Sequence, residues 1–142
     1  MRIGIVGAEA AKFTVLGEKA CRAAIADMLR PGDVVVSGGC HLGGVDIWAE
    51  EAALDASLGL RIYLPAARSW EYYKARNMLI AQNSDHVVCF AVDRYPPDWE
   101  GMLFTSCYHC KAKDHVKSGG CWTTKYARRI GVPANTVVVE NR

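Results

Sequence analysis

Val34-Val35-Val36 followed by SGGCHLGGVD, residues 37–46, sets an apolar strand, an exposed glycine loop and a helix start in immediate succession. A second glycine turn, SGGC at 118–121, opens another helix near the far end of the chain. Two such turns at helix N-termini would leave backbone N–H groups and positive helix ends pointing into one crevice, which is a physical recipe for holding phosphate.

Outward from that stretch, strand and helix patterns alternate. Residues 2–6 read as a buried strand ending at Gly7, after which Leu16, Ala20, Ala24 and Met28 recur at helical spacing as far as Pro31-Gly32. After the loop, Val45, Ala49, Ala52, Ala53 and Ala56 form the apolar stripe of a helix that stops at Gly59. A strand at 60–64 closes at Pro65, a helix follows at 72–83, and the continuous apolarity of 86–91 suits a strand covered on both faces. The period then fails from 92 to about 118, an irregular insertion carrying Pro96-Pro97 and a Cys/His cluster. A helix at about 120–130, with Tyr126, Ala127 and Ile130 inward, and a strand at 136–139 complete the pattern. The fold class expected is α/β and Rossmann-like: a mostly parallel sheet of about five strands, helices on both faces, ligands beyond the strand C-termini. The 142 residues suffice for a single domain.

A net charge of +2, with Lys and Arg dispersed, argues against nucleic-acid binding driven by bulk charge. No apolar run approaches the roughly 18–20 residues of a membrane span, and MRIGIVGAEA lacks the features of a signal peptide, so no membrane partner and a cytoplasmic location are expected. The six cysteines are then expected as reduced thiols. Cys107-x-x-Cys110-x4-His115-x5-Cys121 offers three thiolates and an imidazole, a set that can complete a tetrahedral structural zinc site. Such a site would order a stretch poor in regular structure and, through Cys121, tie it to the second glycine turn. The alternative keeps Cys121 as a packing residue, Cys107 and Cys110 as free thiols and His115 as a loop or ligand-contacting histidine.

The first turn, Gly7-Ala8-Glu9-Ala10, lacks the G-x-G-x-x-G dinucleotide fingerprint, so the binding signal rests on the later turns. The order SGG-x-x-x-GGVD-x-x-A-x-x-A, Ala75-Arg76-Asn77 ahead of a helix, Ser84-Asp85-His86-Val87-Val88, GGCWTT and Ile130-Gly131-Val132-Pro133 resembles the SLOG superfamily of Rossmann-like domains. That superfamily includes the LOG phosphoribohydrolases, once described as lysine decarboxylases, and the DNA-uptake protein DprA. The chain is most similar to the small stand-alone members related to YpsA, over nearly its whole length apart from 92–117.

The resemblance implies a nucleotide or nucleotide-derived ligand held between the second glycine turn, an Arg76-Asn77 turn and the GGCWTT turn. Gly7, Ser37, Gly38, Gly39, Gly43, Gly44 and Asp46 would line one side. Ser118, Gly119, Gly120, Thr123 and Thr124 would take a phosphate on the other. Arg76 stands in the place of an active-site arginine of the LOG enzymes and is the candidate catalytic group. The glutamate that follows the LOG phosphate loop is missing from Gly119–Tyr126, so binding is better supported than catalysis. A sensor or accessory module is therefore the first expectation. The alternatives are an enzyme cleaving the N-glycosidic bond of a nucleoside monophosphate and a DNA-associated protein of the DprA kind. His41 could touch a phosphate or base. Trp70, Tyr72 and Tyr73 could stack on a base, cap the core or meet a second copy, a homodimer or higher homo-oligomer being expected.

Overall fold

The computed structural model describes residues 1–142. Five strands, β1 (Arg2–Gly7), β2 (Val34–Ser37), β3 (Gly59–Ile62), β4 (His86–Val92) and β5 (Ala134–Val139), form one all-parallel sheet in the order β3-β2-β1-β4-β5. The helices are α1 (Val15–Met28), α2 (Val45–Asp55), α3 (Trp70–Gln82) and α4 (Gly119–Arg129), with a short 3₁₀ turn at Ala10–Lys12. This is the expected α/β Rossmann-like architecture. No helix is long and apolar enough to cross a membrane.

Alternation along the strands divides the interior into two cores. Ile3, Ile5, Val35, Val88, Phe90 and Val92 face α1 and α2, meeting Cys21, Ile25, Trp48, Ala49 and Ala53. Val6, Val36, Val87 and Cys89 face the other way, towards Ile80 and Ala81 of α3 and Cys121 and Ala127 of α4. Because the chain leaves β1 towards β2 on one side and returns to β4 on the other, the strand order reverses beside β1. The crevice at that reversal opens at the strand C-termini, where an open α/β sheet has room for a ligand.

Several boundaries and faces differ from the sequence expectation. On α1 the inward positions are Gly17, Cys21 and Ile25, with Ala24 and Met28 half-buried, whereas Leu16 and Ala20 are exposed. The stripe is rotated by about one residue because small Gly17 and Cys21 let the helix pack close, an option that apolarity alone does not reveal. Helix α2 ends at Asp55, leaving Ala56 as an exposed cap, and Ile130 at the end of α4 is exposed too. The third strand occupies 59–62 rather than 60–64. Arg76 and Asn77 lie within α3, not in a turn before it.

Between β4 and α4, residues 93–118 carry no helix or strand of their own. Their start is fastened by Asn141, a buried residue whose backbone N–H donates to Asp93 Oδ1 at 2.8 Å. Its side-chain amide donates to the carbonyls of Arg94 (2.7 Å) and Lys12 (2.8 Å), and its oxygen accepts from Thr14 N at 3.1 Å. Tyr95 and Trp99 stack at 5.2 Å, and Val116 N bonds to Val92 O at 2.9 Å.

The first glycine loop is held against the sheet through Gly44, whose φ of 87° and ψ of −145° suit only glycine. A Cβ there would lie 2.5 Å from Ala10 N, since Val45 N donates to Ala8 O at 3.1 Å and draws the two loops together. Gly32 has a similar φ of 86° but nothing within 4 Å of such a Cβ. Urea unfolding of the two alanine variants separates strain from clash: Gly32→Ala is expected to cost about 1 kcal/mol, from the backbone alone. Gly44→Ala is expected to cost roughly 2–4 kcal/mol, because overpacking adds to the strain.

Candidate functional site

A cavity of about 670 Å³ lies over the C-terminal ends of β1, β2 and β3, within the size range of small-molecule sites. Its walls bring together residues far apart in sequence. Gly7, Gly39, Asp46, Arg76, Asn77, Gly119, Gly120 and Thr123, all singled out above, line it, as do His41 at its rim and the rings of Trp70 and Tyr73. Tyr72 does not; it is exposed on the outside of α3.

The remaining candidates serve the backbone. Buried Ser37 donates to Glu50 Oε2 at 2.6 Å and accepts from Gly39 N at 3.2 Å, which shapes the loop from beneath. Gly43 and Gly44 lie outside the cavity wall, because the first amide of α2 is satisfied by Ala8 O. The α2 end therefore reaches the crevice through the side chain of Asp46, whereas α4 reaches it with its first glycines. Ser118 caps α4 by accepting from Gly120 N at 3.2 Å, and Thr124 turns into the helix, donating to Cys121 O at 2.9 Å. Gly38 leaves room for charge: a Cβ there would meet the Arg76 guanidinium and, at 3.0 Å, Asp46 Oδ2.

Those two groups form the polar floor. Arg76 is held by the Gly38 carbonyl and by Asn77 Oδ1, the latter 2.8 Å from Nε, and its guanidinium lies 5.7 Å from the Tyr73 ring. Asp46, 7% exposed, accepts from Cys40 N at 3.2 Å. Burial pushes its carboxyl up to about 6, against the opposing pull of Arg76 and the Cys40 amide.

At the opposite end the start of α4 is brought against β1. A Cβ on Gly120 would lie 2.8 Å from both Gly7 N and Cys89 Sγ, so only glycine lets the helix approach this closely. Thr123, 1% exposed and just past this first turn, belongs to the same cavity wall, and its buried hydroxyl has no hydrogen-bond partner, a condition shared only by Thr136 on β5. Orphan buried hydroxyls are rare enough to need an explanation. Lys12 and Lys117 also border this end, and Arg68 borders the other. Sequence spacing gave no sign of these three cations, since their convergence depends on the path of irregular segments. None of the seven ion pairs in the molecule involves Lys12, Lys117, Arg68 or Arg76.

No protein-family model, curated protein or solved structure matches this chain.

Beneath α4 the Cys/His cluster is assembled as its spacing suggested. One donor atom from each of Cys107, Cys110, His115 and Cys121 lies within 4.8 Å of all the others, so the four side chains could hold a metal ion. His115 Nε2 is 3.6 Å from Cys121 Sγ, and its Nδ1 is 2.6 Å from Asp114 Oδ1, the carboxylate–imidazole arrangement that orients a metal-binding histidine. Cys107 and Ala112 exchange backbone hydrogen bonds of 2.9 and 3.3 Å, closing a tight knuckle around the C-x-x-C. Burial raises the Cys107 thiol, but the amides of Cys110 and His109 and the Cys121 thiol outweigh it and hold it below the ordinary value. Burial, with Cys121 and Cys107 beside it, pushes Cys110 up to about 12. Three such sulfurs could be deprotonated together only with a cation between them. His109, tilted on the Tyr108 ring at 4.3 Å, stands outside the set.

Asp46 generates a pH test. Its folded-state value lies above that of an unfolded aspartate, so the folded state holds the proton more tightly and Asp46 costs stability as pH rises from about 4 to about 6. Asp46→Asn, whose amide oxygen can still accept from Cys40 N, is expected to raise stability at pH 8 by on the order of 2–3 kcal/mol and to change little near pH 4. Chemical unfolding of both proteins at the two pH values checks this; an equal effect at both would mean that Asp46 is not held in a desolvated site.

Proposed function

We propose that this chain is a nucleotide-binding module of the SLOG type, serving as a sensor or accessory factor, with the ligand's phosphate at the start of α4. The observation that carries the reading is the partnerless hydroxyl of buried Thr123, a residue of a cavity wall that also holds Gly119, Gly120 and four cations, none of them in an ion pair. A phosphate there accepts from a hydroxyl and helix-terminal amides, and the helix dipole and ammonium groups favour its charge. Arg76 and Asn77 at the far end, with Trp70 and Tyr73 beside them, offer polar and aromatic contacts for the sugar and base.

Calorimetric titration with adenosine and guanosine monophosphates tests this. Binding is expected for at least one of them, weakened about tenfold or more in Thr123→Val, which removes a charge-assisted hydrogen bond without changing the size of the side chain. Absence of binding by all nucleotides tried, or an unchanged affinity in Thr123→Val, would overturn the reading.

One observation favours a second reading, hydrolysis of a nucleoside monophosphate at its N-glycosidic bond. A carboxyl poised near 6 beside an arginine can hand a proton to a departing base while the guanidinium steadies the phosphate or ribose. Asp46 and Arg76 would carry that step, in place of the glutamate absent from α4. Release of free base on incubation, lost in both Asp46→Asn and Arg76→Ala, would establish it.

The Cys/His cluster is read as a structural zinc site. A tetrahedral zinc with Zn–S near 2.3 Å and Zn–N near 2.0 Å sets its ligand atoms about 3.5–3.8 Å apart. The 3.6 Å between His115 and Cys121 meets that spacing, and small shifts of the remaining side chains complete it. Lys117, Gly119 and Gly120 lie between two of the ligands, His115 and Cys121, so the ion would also fix the phosphate end of the cavity. About one zinc per chain is expected by elemental analysis, and much less in Cys110→Ser. Chelation is expected to lower the melting temperature, to speed hydrogen exchange in 93–118 and to weaken nucleotide binding. A metal-free protein with the same melting temperature as a zinc-supplemented one would refute the site.

A further inference from the structure

Two of the cavity's cations are placed in a way that a single phosphate does not explain. Lys12 Nζ donates to the carbonyl of Lys117 at 3.3 Å, which sets its ammonium beside the segment that enters α4. Lys117 itself lines the same cavity, its own ammonium 5.2 Å from the Phe104 ring and 5.6 Å from Tyr108. Lys12 in turn lies 5.5 Å from the ring of Trp99. Three aromatic side chains of the insertion thus hold two lysines through their ring faces, a contact that orients a cation without cancelling its charge.

Carboxylates are scarce at this end. Glu9 is in the cavity wall and acts on Lys12 at a distance, but neither lysine has an acidic oxygen within ion-pair reach. Burial foremost, and the charge of Lys117 in addition, bring the Lys12 ammonium below its ordinary pKa against the pull of Glu9. Two like charges converging on a partly desolvated wall raise the energy of the empty site, and an anion between them lowers it. The first phosphate already has acceptors' partners in the α4 amides and Thr123, which leaves the lysine pair for further negative charge. The cavity, about 670 Å³ in volume, runs from there to Arg68 and has room for a nucleoside beyond two phosphates.

We propose that the ligand carries a diphosphate, its first phosphate at the start of α4 and its second between Lys12 and Lys117, and that these two lysines set the preference for diphosphate over monophosphate. The proposal rests on the nucleotide-binding reading above and adds the charge class of the ligand. It requires no bond to be made or broken.

The test compares inorganic phosphate with pyrophosphate, and AMP with ADP, by calorimetry on the full zinc-supplemented chain at one ionic strength. Each two-phosphate probe is expected to bind at least about tenfold more tightly than its one-phosphate counterpart, as befits an added contact between phosphate and a partly buried ammonium. Lys12→Met, which keeps the buried stem, and Lys117→Met are each expected to lose most of that ratio, the affinity for the two-phosphate probe falling further than that for the one-phosphate probe. Lys12→Arg should retain it. Equal affinity for the two members of each pair, or a ratio that survives both methionine variants, overturns the diphosphate proposal and leaves the nucleotide reading standing. Failure of every probe to bind overturns both.

Discussion

The approach of α4 to the end of β1 is the constraint on which the rest of the molecule depends. Gly120 lies so close to Gly7 N and Cys89 Sγ that any side chain on it would push the helix away from the sheet. With α4 seated there, its first turn stands over the point where strand order reverses, and Gly119, Gly120 and Thr123 line the crevice. The same seating brings Cys121 against Cys89, 4.0 Å between sulfurs, and into reach of His115. One backbone contact thereby positions both the α4 end of the cavity and the corner of the Cys/His cluster.

The two ends of the cavity hold charge by different means. At the Arg76 end the cation is fixed by neutral oxygens, those of Gly38 and Asn77, and shares its surroundings with a carboxyl that burial leaves only half ready to ionise near pH 6. The guanidinium is thus oriented by neutral oxygens, with its countercharge set by the ionisation of Asp46. At the α4 end the cations are lysines resting on aromatic faces, with no carboxylate in ion-pair contact. The contrast suits a ligand with a compact, highly charged portion and a larger portion recognised by shape and directed hydrogen bonds.

The sheet and its order of elements were legible because apolar strands, glycine loops and helical stripes alternate without a break until residue 92. What eluded the sequence was local packing. Leu16 and Ala20 belong to a plausible apolar stripe, yet Gly17 and Cys21 turn inward, since a small residue allows closer contact than a large one and hydrophobicity alone does not rank the two. In the site, Asp46, Arg76, Gly119, Gly120 and Thr123 could be named because each follows a recognisable turn or motif. Ser37, Gly44, Ser118 and Thr124 belong to the same motifs but satisfy the backbone instead, a division that depends on which groups the fold leaves without partners. The four metal-ligand candidates were readable from spacing alone, as short loops admit few alternatives. Lys12, Arg68 and Lys117 were not, for nothing in their neighbourhoods marks where an irregular chain will carry them.

Asn141 gives the lysine end a further property. By holding the carbonyl of Lys12 while that residue's ammonium rests on Lys117, the fold grips the side chain at root and tip. A lysine surrenders roughly 1–2 kcal/mol of rotamer freedom when it is immobilised. Here that entropy is lost when the polypeptide folds, so an anion bound there would meet a preorganised cation and its intrinsic attraction would translate more fully into affinity.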